Sequence, residues 1–166
     1  MNRVRLITGG LIAAVTLSVC VAIAQVSADA KKQINTAYAA INAGMAKKDI
    51  GAVVKYFTPD YQDIDSGKTT NLATWKSSTE QLFKQSKSIK ETYKPTEFKM
   101  SGKDVVVTSK VTIDIETIVG PDKKSHKMTG SATSKDTWTQ VKTDWKCKKS
   151  ETLSQKFAID GTPLTP

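Results

Sequence analysis

Apolar residues recur along this chain with two different periods. From Lys31 to Ala46 they fall at Ile34, Ala37, Tyr38, Ile41 and Met45, the spacing of one face of an α-helix. Asp49 then stands where an N-cap belongs, ahead of a short helix expected to bury Ile50, Val53, Val54 and Phe57. Pro59 is expected to stop that helix, because the residue before a proline is pushed toward extended geometry. Residues Asp60 to Lys68 read as a short extended piece with a turn at Ser66-Gly67. A third helix is predicted from Leu72 to Gln85, capped by Asn71 or Thr70, with Leu72, Trp75, Leu82 and Phe83 on its apolar side.

After Ser86 the period changes to two, the alternation of a half-buried strand. Ile89, Glu91 and Tyr93 share one parity, and Pro95 marks an edge or a bulge. Val105, Val107, Val111, Ile113 and Ile115 place a long strand over Lys103 to Glu116. Gly120-Pro121-Asp122 reads as a turn, and a strand returns over Lys127 to Val141. After a turn at Thr143-Asp144, a last strand runs from Trp145 to Ile159, with Trp145, Cys147, Leu153, Phe157 and Ile159 in one parity. Gly161 and Pro163 end it. Helices followed by an antiparallel meander predict an α+β domain in which a strongly curved sheet packs around N-terminal helices, leaving a cavity at its open end.

The first residues fit neither pattern. Arg3 and Arg5 are followed by an uncharged, mainly apolar stretch from Leu6 to Ala24 and then by small residues. That order is the signature of a secretory signal segment, and both Val26-Ser27-Ala28 and Ala28-Asp29-Ala30 suit signal peptidase. Residues 1–30 are therefore read as a signal peptide, cut after Ala28 or Ala30, and residues 31–166 as one domain, secreted or periplasmic. The competing reading is a retained anchor, because the stretch is close to the ~20 residues that span a bilayer. Cys20 invites a lipoprotein reading, which Val19 before it and the apolar residues after it disfavour. Once the segment is cut, no stable membrane insertion is expected.

Removing that segment changes the charge chemistry. The chain carries 25 basic residues against 16 acidic ones, a formal net charge of +9. Its arginines are Arg3 and Arg5 alone, so the mature domain is basic through lysine only. Specific nucleic-acid recognition leans on the bidentate guanidinium fork, and the lysines are scattered from Lys31 to Lys156, so none is expected. Lys142, Trp145 and Lys146 form the one local cluster of stacking and basic side chains. Cys147 has no partner for an internal disulfide in the mature chain and reads as a small core residue. His126, in a lysine-rich hairpin, offers no metal site. No metal and no cofactor are expected.

The stretch Ala46-Lys-Lys-Asp-Ile-Gly-Ala-Val-Val-Lys-Tyr-Phe-Thr-Pro-Asp60, continued by Tyr61 to Gly67, resembles the nuclear transport factor 2-like superfamily. The likeness is to its secreted bacterial, SnoaL-like and ketosteroid-isomerase-like members, which share a cystatin-like fold. Asp136-Thr-Trp138 and Trp145-Lys-Cys147 look like that family's paired tryptophan strands. The resemblance spans the mature chain and implies a cone-shaped sheet around helices. Its isomerases and cyclases use an Asp just after the second helix as general base. An ungapped match of Phe57 to Asp65 puts Asp65 at that position, where a carboxylate raised by burial could take a proton alpha to a carbonyl. The match departs at the oxyanion donor: Ile41 occupies the place of the isomerase tyrosine, with Tyr38 one helical turn away.

Tyr38, Ile41, Tyr61, Trp75 and Trp138 are the residues expected to line the cavity, with Tyr93 as a further aromatic. The reading favoured is a non-catalytic exported domain binding a small apolar molecule or a protein partner in its cone. The alternative is an isomerase- or cyclase-type enzyme using Asp65 on a carbonyl substrate. A structural envelope protein that homodimerises through an open sheet face is a third.

Overall fold

The computed structural model describes residues 25–118 and 124–164. Two helices come first, α1 (Ala28–Lys47) and α2 (Ile50–Val54), followed by a hairpin of β1 (Phe57–Asp65) and β2 (Lys68–Asn71). Helix α3 (Leu72–Gln85) leads into four long strands, β3 (Ser86–Ser101), β4 (Asp104–Ile118), β5 (Ser125–Val141) and β6 (Asp144–Ile159), and a two-residue β7 (Thr162–Pro163). The apolar stretch up to Ala24 and the turn at Gly120-Pro121-Asp122 lie outside the described residues. Among the described residues no helix is long and apolar enough to cross a membrane.

The helical stripe read from the sequence is the buried face of α1: Ile34, Ala37, Tyr38, Ile41 and Met45 all lie in the core. That face extends further N-terminally than the period alone indicated. Val26 and Ala30 are also buried, and the Ser27 hydroxyl caps the helix by accepting from the Ala30 amide at 3.1 Å. A cut after Ala28 or Ala30 would therefore take this cap away. At the other end Lys48 adopts a left-handed conformation, and the Asp49 amide closes on the Gly44 carbonyl at 2.9 Å. Gly44 is required for the crossing onto α2, since a Cβ there would lie 2.8 Å from Val53 Cγ2. Asp49 caps α2 and Asn71 caps α3, each through its side-chain oxygen.

The helix at Asp49 is shorter than expected. It stops at Val54, and Phe57 opens a strand, so Pro59 sits inside β1 instead of ending a helix. The proline is tolerated because β1 leaves its ladder between Phe57 and Gln62, where no partner needs the missing N–H.

The sheet order is β2-β1-β6-β5-β4-β3, with β7 pairing beside β6. Strands β3 to β6 form the expected antiparallel meander, but β1 runs parallel to β6, so the sheet is mixed. No local turn signals that pairing, which joins the start of the chain to its end. Pro95 lies at a register shift on the edge strand β3, as its position suggested.

Strand β6 departs from simple alternation. Its register against β5 slips twice, leaving Lys148 and Leu153 without direct partners. Each bulge flips the parity of the residues beyond it. Cys147 and Ser150 consequently face the same side, and Leu153, expected inside, is 51% exposed. Phe157 is drawn onto Gly130 of β5, where a Cβ would run into its ring. The core gathers between α1 and the concave face of β4 and β5, around Val105, Val107 and Trp138.

Candidate functional site

Helix α1, strands β1, β3, β5 and β6, and the start of α3 enclose a cavity of about 40 Å³. Space for one water takes roughly 10–15 Å³, so this volume suits a group of a few atoms. Tyr38, Ile41, Tyr61, Trp75 and Trp138 all line it, together with Tyr93, Phe57, Asp63, Asp136 and Ser150. The walls are aromatic: Phe57 and Tyr61 stack at 4.3 Å, Trp75 stands edge-on to Phe57 at 5.1 Å, and Tyr38 meets Trp138 edge-on at 5.0 Å.

A polar network runs behind the aromatic rings. Asp136 on β5 is buried and accepts from Tyr38 Oη at 2.6 Å, Ser134 Oγ at 3.1 Å and Ser150 Oγ at 2.5 Å. Trp138 Nε1 donates to the Tyr38 hydroxyl at 3.1 Å. Burial pushes the Asp136 carboxyl above its ordinary range, and the three hydroxyl bonds oppose that shift. Burial, with the Asp136 charge beside it, holds the Tyr38 phenol protonated far above neutrality. Cys147 is pushed up by burial in the same way and donates to the Lys149 carbonyl, so it is an inert thiol here.

The expected base, Asp65, is not in this cavity. It is exposed at the tip of the β1–β2 hairpin, accepting from Ser66 Oγ at 3.1 Å and Gln155 Nε2 at 3.2 Å. The carboxylate that faces the cavity is Asp63, two residues earlier on the same side of β1. The ungapped match had the parity right and the depth wrong: β1 pairs Asp63 with Ser150, level with Asp136, and carries Asp65 one step beyond it. Asp63 is half-buried, and its carboxyl is raised to about 6, chiefly by burial and then by the neighbouring charge of Asp65. Tyr61 Oη approaches it at 3.5 Å. One usable hint was present in the sequence, that Asp63 shares the parity of Tyr61.

Ser150 was also missed, because the bulge at Lys148 that turns it inward has no sequence signature. His126 pairs with Asp160 at 2.7 Å, far from the cavity in sequence and structure. Among the described residues no group of His, Cys, Asp and Glu is arranged to hold a metal. The cluster at Trp145 and Lys146 lies along a separate open groove with Lys32, Lys55 and Tyr56, where Asp29 and Asp144 offset the lysines.

No family model matches the sequence, and no curated protein does. Solved structures do. A candidate aromatic ring hydroxylase from Novosphingobium aromaticivorans superposes with a TM-score of 0.65 at 17% identity, over 86% of this chain and 94% of its own. A candidate scytalone dehydratase from the same organism gives 0.61 at 15% identity, over 75% and 85%. A protein of unknown function with a cystatin-like fold from Nostoc punctiforme gives 0.60 at 13%, over 78% and 93%. The chain has the nuclear transport factor 2-like fold, in its SnoaL-like, cystatin-like form.

Proposed function

We propose that this is an exported domain that binds a small molecule in the cavity between α1 and the sheet and performs no chemistry on it. The leader-like pattern before Gln25 supports export. The observation that carries the binding reading is the state of the donors. Tyr38 donates a hydrogen bond to Asp136, Trp138 to Tyr38, Ser150 to Asp136 and Tyr93 to Glu91. Catalysis at a carbonyl needs a donor aimed at the developing oxyanion, and these are turned away from any ligand. What remains is an aromatic enclosure with one accessible carboxylate.

Native mass spectrometry of the protein from its own host, compared with a Trp75→Ala variant, tests this. An adduct on the natural protein that falls at least tenfold in the variant is expected. An adduct retained equally by the variant would place the ligand elsewhere.

A second reading has one observation in its favour, the Asp63 carboxyl at about 6, a value suited to a general base. The neighbouring folds described as a candidate dehydratase and a candidate hydroxylase keep it in view. Under that reading the protein exchanges deuterium into the alpha carbon of a small ketone, and Asp63→Asn lowers the rate by a hundredfold or more. No exchange above buffer leaves the binding reading.

A further inference from the structure

The charge lining the cavity runs against the charge of the chain. The protein has a formal net charge of +9, yet among the described residues no lysine, arginine or histidine lines the cavity, and two aspartates do. Both face the same layer: Asp63 on β1 and Asp136 on β5 each stand opposite Ser150 of β6. Asp136 has its hydroxyl donors, but among the described residues Asp63 has only the long 3.5 Å approach of Tyr61. The cavity thus offers a half-buried carboxylate with one long hydrogen bond, while Tyr38, Trp138 and Ser150 direct their donors to one another and to Asp136. A ligand that completes the site must bring a donor, and it must be at home against ring faces. An ammonium group meets both requirements, since it donates to carboxylate and is attracted to the π-faces of Trp and Tyr within about 6 Å. An anion would face Asp63 and Asp136 with nothing to neutralise it.

We propose that the cavity takes a small organic cation, an alkylammonium group whose N–H donates to Asp63 while its carbons lie against Tyr61, Trp75 and Trp138. This rests on the reading of the cavity as a ligand site and names the ligand class. A volume of about 40 Å³ accommodates the ammonium head, and a longer substituent would leave past the half-buried Asp63 and Trp75. The charges that act on Asp63 agree in sign, and the Tyr61 hydrogen bond opposes them by lowering its carboxyl. Tyr61 and Asp65 on its own strand, Glu91 of β3, Asp136 of β5 and Cys147 of β6 are acids or neutral hydroxyls and thiols, with no cation among them. With its carboxyl raised to about 6, Asp63 is ionised at pH 8 and largely protonated at pH 5, so binding weakens as pH falls.

The experiment is a titration of the full mature protein with trimethylammonium, tert-butanol and isobutyrate, read at the indole N–H resonance of Trp138 in the cavity wall. Trimethylammonium keeps its proton throughout this range, so any pH dependence belongs to the protein. Saturable binding of trimethylammonium at pH 8 is expected, with tert-butanol at least tenfold weaker and isobutyrate without effect. Asp63→Asn should weaken trimethylammonium at least tenfold and leave tert-butanol unchanged. Dropping from pH 8 to pH 5 should weaken it about tenfold in the natural protein and leave the variant flat. The pH series on the natural protein decides the matter even if the variant does not fold. Tert-butanol binding as tightly as trimethylammonium, saturable isobutyrate binding, or a flat pH profile overturns the cation while leaving a ligand site. If none of the three probes moves the Trp138 signal, the ligand site falls with it.

Discussion

Strands β4 to β6 pass through two environments. Beside α1, Val107 and Trp138 are fully buried, and Asp136 between them is held by three hydroxyl donors. Toward the other end of β6, Leu153 is 51% and Ile159 39% exposed, and Asp65 of β1 is held only by partners at the surface. Alternation along a strand therefore says which face a side chain takes, but depth along the strand says what that face meets. The same carboxyl group is a core anchor at Asp136, a titratable cavity group at Asp63 on the same level of another strand, and a turn residue at Asp65 one step beyond.

The largest contrast should come from the carboxylates themselves. Asp136→Ala strands the buried Tyr38 and Ser134 hydroxyls and the partly buried Ser150 hydroxyl without their acceptor and should cost about 3–5 kcal/mol, where Asp65→Ala stays within about 0.5 kcal/mol. Urea unfolding midpoints measure both, and similar losses for the two would break the comparison. Apolar truncation should show the same gradient. Ile34→Ala, at a fully buried position, is expected to lose about 2–5 kcal/mol, and Leu153→Ala about 0.5 kcal/mol or less.

Asp63 lies between these extremes, and its effect should change with pH. A carboxyl raised in the folded state binds its proton more tightly there, so its contribution to stability is present below the unfolded value and is lost as pH rises toward about 6. Asp63→Asn escapes that loss. After allowance for solvent screening of a half-exposed group, it should be about 1–2 kcal/mol more stable than the natural chain at pH 7.5 and equal to it near pH 3.5. Parallel melts at the two pH values test this, and a constant offset would remove the proposed titration. A smaller effect is at the start of α1, where Ser27→Ala, in a chain that keeps its leading segment, should cost about 1 kcal/mol through the lost cap. Thermal unfolding resolves a change of that size.

What could be read from the sequence divides in the same way between local and non-local causes. Helix α3 begins at Leu72 and ends at Gln85 as its period and the Asn71 cap indicated, because caps and periodicity act over a few residues. The five aromatic and aliphatic cavity residues were legible because their parity and helical spacing turned them inward. The parallel pairing of β1 with β6, and the bulges at Lys148 and Leu153, depend on partners distant in the chain, so no nearby residue announces them. The base expected at Asp65 therefore lies one step beyond the level of Asp136. Counting residues locates a side chain along its own strand, but the register with β6 decides which one stands level with Asp136.

The hydrogen bonds from Tyr38 to Asp136 and from Trp138 to Tyr38 span 98 and 100 residues of chain. The β1–β6 ladder likewise waits for residues up to Glu151. Closing loops of that size is slow, and helix α1 alone has nothing on which to bury its apolar face. During synthesis Tyr38 therefore stays without its buried partners until Asp136 and Trp138 have emerged. For a protein proposed to leave the cytoplasm, that order of events keeps the chain threadable until it reaches the far side.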